Sequence, residues 1–250
     1  TVGAGLKPNY IWIDKADEFF ALIFGNWFAY FRKDFEYLNK ELLKIQNEYE
    51  DKYFEEIAKN LTIPIDIGLI ISNANIFNSK TGDVHPNGNI LIENGKIKDI
   101  IFGKFKTPKG YQSIDATGKF VMPGLWDMHV HFVDPSDGLL HLSCGITNVR
   151  DMGNSFDLIE KKNKIDSGII LGPRIQIMSG FIDGAGEFAG PMGEKINTIE
   201  EGKLAVKKYA DLGYQQIKLY SSIKPEWVAP ISKEAKKYNK SRESVCAAQR

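Results

Sequence analysis

Phe120-Val121-Met122-Pro123-Gly124-Leu125-Trp126-Asp127-Met128-His129-Val130-His131-Phe132 reads as a strand that carries ligand-type side chains. Side chains alternate along a strand, so Asp127, His129 and His131 leave it in one direction. Two imidazoles then converge on one point, and an i, i+2 pair can chelate a divalent ion at about 2.0–2.1 Å per bond. Asp127 can hold an imidazole in orientation or merely cap the strand end. A bare His-x-His is as readily a pair of ordinary surface or core histidines, so the neighbourhood has to decide.

Downstream, strand-like and helix-like stretches alternate. Thr147 to Asp151, Arg174 to Ser179 and Gln215 to Tyr220 read as strands; Leu139 to Cys144, Phe156 to Ser167, Thr198 to Leu212 and Pro225 to Tyr238 read as helices. That order gives a parallel sheet, and four successive β/α units fit the first half of a TIM-like (β/α)8 barrel over residues 119–250. An open, doubly wound sheet is the runner-up. Barrel sites gather at the carboxyl ends of the strands, where His129 and His131 fall. Three of the four histidines, the third being His141, lie within thirteen positions. His141 heads towards a structural role in its helix, and His85, in a Pro/Gly loop, towards solvent.

Lys218 is the second candidate. At an inward-facing strand end an ammonium is costly to bury unless paired or chemically altered. An uncharged amine there can take up carbon dioxide as a carbamate, an oxygen ligand able to bridge two metals; the plain alternative is a snorkelling or ion-paired lysine.

Upstream, Ile67 to Phe77, Asn89 to Glu93, Lys96 to Phe102 and Tyr111 to Asp115 are short β-type runs, giving a small β-sandwich-type domain over 65–118. Asn94-Gly95 between apolar runs predicts a two-residue hairpin turn. Residues 1–64 read as a helical N-terminal extension: apolar residues including Phe19, Ile23, Trp27, Tyr30 and Leu38 recur at three- and four-residue steps, and Phe19 to Phe31 is expected to be a buried, aromatic-rich helix. Lys40 to Lys59 alternates Glu with Lys as a solvated helix face does.

Lys plus Arg equals Asp plus Glu at 32 each, so the basic excess expected of a nucleic-acid or anionic-membrane binder is missing. No run approaches the roughly 18 apolar residues of a membrane helix. Small molecules are the expected partners, with homo-oligomerisation possible in principle. Cys144 and Cys246 form neither a CxxC pair nor a disulfide framework, and the chain, starting at Thr1, shows no charged n-region with an apolar h-region; both a cytoplasmic and an exported location stay open.

Taken together, Ile71 to Phe77, Ile90 to Ile97, Ile114-Asp115-Ala116-Thr117-Gly118-Lys119, Pro123 to His131, Gly145-Ile146-Thr147-Asn148-Val149-Arg150-Asp151-Met152-Gly153 and Gly172-Pro173-Arg174-Ile175 resemble the amidohydrolase superfamily, in its imidazolonepropionase and prolidase-like branch. The resemblance covers Ile67 to about Tyr238. It implies His129, His131 and a carboxylated Lys218 as metal ligands, Asp127 supporting them, one or two divalent ions, zinc first among zinc, manganese, iron and nickel, and hydrolysis of a small amide, cyclic amide or dipeptide C–N bond by a metal-activated water. The family's general acid/base aspartate and further histidines belong to later strands and have no counterpart here, so no catalytic residue is assigned in this chain. Residues 239–250 show no recognisable fifth strand, and the chain is expected to be truncated or out of frame there. The alternative is a catalytically incomplete scaffold. The Gly-rich segment Ser179 to Gly190 either lines the mouth or is a mobile connection, and it lacks the context of a dinucleotide site.

Overall fold

The computed structural model describes residues 7–25, 28–154, 156–190, 192–238 and 245–247. Chain contacts divide it into two compact units, residues 61–125 and the remainder.

In the larger unit the chain opens with β1 (Ile11–Ile13), β2 (Phe19–Phe24) and β3 (Phe28–Phe31), a three-stranded antiparallel sheet. The expected helix over Phe19 to Phe31 is therefore a hairpin, with Asn26 and Trp27 outside the described residues. Along β2 burial alternates, with Ala21 and Ile23 inside. A continuous apolar run is compatible with either period, and here the β-branched and aromatic content prevails. Then comes α1 (Asn39–Leu61), which buries Gln46, Phe54 and Ala58 and leaves its Glu/Lys face in water. Lys164 ties its Asp51 at 2.9 Å.

In the smaller unit β4 (Leu69–Phe77), β5 (Val84–Glu93), β6 (Lys96–Phe102), β7 (Gln112–Asp115) and β8 (Phe120–Val121) form one sheet, with β8 paired to β4. Ala74, Ile76, Ile90 and Ala116 form its core. Glu93 faces Lys96 across a turn in which Asn94 and Gly95 have φ of 49° and 68°. A Cβ added at Gly95 would meet nothing within 4 Å, so Gly95→Ala isolates backbone strain. We expect it to cost about 1 kcal/mol of this unit's stability in urea unfolding; an unchanged midpoint would contradict the turn.

The larger unit resumes with β9 (Leu125–Val130), α2 (Pro135–Ser143), β10 (Ile146–Asn154), α3 (Leu158–Asp166), β11 (Arg174–Gly184), β12 (Glu194–Ile196), α4 (Ile199–Asp211), β13 (Gln216–Leu219), α5 (Pro225–Tyr238) and β14 (Val245–Ala247). The single strand expected over Phe120 to Phe132 is thus two, because Pro123-Gly124 lies between β8 and β9. The sheet order is β14-β13-β11-β10-β9. It follows the chain without reversal, whereas a doubly wound sheet requires a switch point. Sequential parallel strands joined through helices give a curled sheet, a partial (β/α)8 barrel. The ladders β10–β11, β11–β13 and β13–β14 are parallel. A fifth barrel strand does exist, then: Val245 to Ala247 pairs with Ile217 to Leu219, a three-residue strand that the polar stretch before it conceals in the sequence. Residues 239–244 and 248–250 lie outside the described ones.

Helix ends follow local rules. Asp134 accepts from Ser136 N–H while Asp137 returns to the Asp134 N–H, a capping box with Pro135 at the first turn. Thr198 caps α4, accepting from Glu201 N–H at 3.1 Å. In α4, Gly202, Ala205, Val206 and Tyr209 make the buried stripe. In α5, Trp227, Ile231 and Ala235 do so at four-residue spacing. No helix of the described residues is long and apolar enough to cross a membrane.

Candidate metal centre

The core between sheet and helices takes Val130 and Phe132, both buried. Alternation then sends His129 and His131 to the other side of the sheet, where both are exposed. His129 is in β9, and His131 follows its end. Their ring centroids are 5.5 Å apart, close enough for two rings to share one ion at about 2.0–2.1 Å per bond.

His131 Nδ1 lies 2.6 Å from the Gly153 carbonyl oxygen. A carbonyl only accepts, so this contact needs the proton on Nδ1 and leaves Nε2 with its lone pair outward, the form in which imidazole binds metal. At His129, partial desolvation and the nearby cationic side chains of Lys218 and Arg150 pull the imidazole below its usual range, with Asp127 opposing them; the neutral ligand form is favoured. Asp127 accepts the His129 backbone N–H at 3.0 Å and so braces the backbone beside that ring.

Lys218 sits in β13, buried at 6% exposure. Its Nζ lies 5.1 Å from the Tyr220 ring centroid and 5.7 Å from that of Phe181. It is near enough to His129 to act on its charge. His129 and His131 lie together at the end of β9, and Lys218 is carried by β13 of the same sheet. Imidazole nitrogens of the kind His129 and His131 carry suit divalent ions such as zinc, and a lysine would add an oxygen donor only as a carbamate. Among the described residues no three His, Cys, Asp or Glu side chains gather as a ready-made metal cluster.

The other histidines are elsewhere. His85 is in β5, not in a loop, and 5.6 Å from the Phe102 ring. His141 closes α2, with Nδ1 2.6 Å from the Asp137 carbonyl and its ring beside Phe132.

Two buried carboxylates escaped the sequence reading. Asp151, fully buried in β10, accepts Phe132 N–H at 2.8 Å and Gly153 N–H at 2.9 Å. Asp183, also fully buried, accepts Gly184 N–H at 2.9 Å and Ser222 N–H at 2.8 Å through one oxygen and Gly190 N–H at 2.7 Å through the other. The first part of the Gly-rich segment is strand β11, and Asp183 pins its far end. An aspartate directly after the apolar pair Phe181-Ile182 was the available signal for Asp183; Asp151, which follows Arg150, had no such signal.

No family model matches the chain. A dihydroorotase from Trichlorobacter lovleyi is 33% identical over 105 residues, 38% of this chain and 24% of that protein. A dihydroorotase from Geobacter metallireducens is 54% identical over 46 residues, 18% of this chain and 11% of that protein. Among solved structures, a Bifidobacterium longum protein assigned as a prolidase superposes with a TM-score of 0.62 at 27% identity, over 74% of this chain and 50% of that one. The chain thus spans about a quarter of the first curated relative and half of that structure.

Proposed function

Starting from the chain's relationship to the amidohydrolase superfamily, we propose that it carries the metal-binding part of a hydrolase acting on the C–N bond of a small amide, cyclic amide or dipeptide. The observation that supports this most directly is the pair His129 and His131, 5.5 Å apart, with the Nδ1 of His131 engaged by a carbonyl. A divalent ion bound there, zinc in the first instance, would supply an acidified water as nucleophile and polarise the carbonyl of the scissile bond.

The chain's own residues hold and orient. His129 and His131 give two nitrogen ligands. Lys218, as amine plus CO2 going to carbamate with release of one proton, gives an oxygen ligand from β13. Asp127 fixes the β9 end through the His129 N–H. The substrate range joins two sets of names, the dihydroorotases among the relatives and the prolidase and Xaa-Pro dipeptidase among the structural neighbours. Loops at the strand ends choose between such substrates. A small-molecule partner and no nucleic acid follow from the same reading.

The test is metal analysis of the intact protein, together with assays on dihydroorotate and an Xaa-Pro dipeptide. We expect one or two divalent ions per chain, with hydrolysis lost on chelation and restored by Zn2+. A preparation free of divalent metal that chelator leaves unaffected would favour the scaffold reading instead.

A further inference from the structure

We infer that Asp151, Gly153 and Asn154 form a positioning unit that fixes the imidazole of His131; this rests on the reading of His131 as a metal ligand. Every member of the unit bonds to the segment that carries His131. Asp151 accepts the Phe132 N–H through one carboxylate oxygen, and the other accepts the Gly153 N–H. Asn154 donates to the Phe132 carbonyl at 2.7 Å and to Asp151 at 3.1 Å. The peptide groups on both sides of Phe132 are therefore held by β10, and the Gly153 carbonyl reaches back to His131 Nδ1.

Asp151 and Asn154 are buried, so these bonds form away from competing water. Gly153 is required by two facts. Its φ is 126°, and a Cβ there would lie 2.5 Å from Phe181 Cδ2. Phe181 is in turn the ring beneath Lys218 Nζ. One glycine thus presents a carbonyl to the first candidate ligand and its bare Cα to the side chain that seats the second. Buried groups that hold a ligand's second ring nitrogen fix its tautomer and its aim.

The experiment has two arms. Long-range 1H–15N correlation on the metal-free intact protein with labelled histidine should show His131 as the Nδ1–H tautomer; an Nε2–H tautomer would overturn the inference whatever any variant does. Co2+ titration, followed by its visible absorption bands, should show a 10- to 100-fold weaker affinity and a shifted spectrum in Asp151→Asn, where an amide N–H2 opposes a backbone N–H. Absence of Co2+ binding by the unaltered protein overturns the metal reading itself. Binding that is lost in His131→Ala but unchanged in affinity and spectrum in Asp151→Asn overturns only the positioning role. Should Asp151→Asn fail to fold, the tautomer decides alone.

Discussion

Replacing His129 and His131 together by alanine is expected to lower divalent-metal affinity of the intact protein by more than about 100-fold, because two of the few available ligands vanish at once and metal sites lose affinity steeply with each donor. Hydrolysis of any substrate should fall with the metal. Stability without metal should stay within about 1 kcal/mol, since both rings lie on the exposed side of the strand and neither fills the core. Calorimetric titration with Zn2+ alongside thermal unfolding of the metal-free protein separates the two quantities. Equal affinity in the variant and its parent would falsify the site.

The second large effect is structural. Asp183→Ala removes the acceptor of three backbone N–H groups, those of Gly184, Gly190 and Ser222. Each buried, unpaired donor costs about 1–3 kcal/mol, and with partial rescue by water the sum should reach about 3–5 kcal/mol in guanidinium unfolding. Loss of less than about 1 kcal/mol would mean that the loop has another anchor. Asp183→Asn should lie between, since one acceptor oxygen survives while its amide faces an N–H.

The barrel portion was readable where several signals agreed. Pro225 to Tyr238 was bounded by a helix-starting proline and carried apolar residues at four-residue spacing, and the structure places α5 there. The Asn94-Gly95 turn was readable because positive φ at both positions is a local demand that few residue pairs satisfy. The expected helix over Phe19 to Phe31 differs from the hairpin found because its apolar run has no polar alternation to reveal the period; pairing of Phe19–Phe24 with Phe28–Phe31 and with Ile11–Ile13 makes the sheet. The fifth strand was missed because three residues give too short a pattern. At the site, alternation placed His129 and His131 on one side. It could not show that Asp127 serves a backbone N–H, nor that Asp151 clamps the Phe132 peptide, since both depend on contacts between residues far apart in the chain or on bent backbone.

The unreversed order of the parallel strands has a consequence for how such a molecule changes over generations. The segments that leave β9, β10, β11 and β13 all depart from a common rim, while the α4 and α5 stripes and Val130 and Phe132 lie packed behind the sheet. In barrels of this kind the rim segments tolerate exchange while the layer beneath holds the shape, so changes at the rim leave the packed stripes of this chain intact.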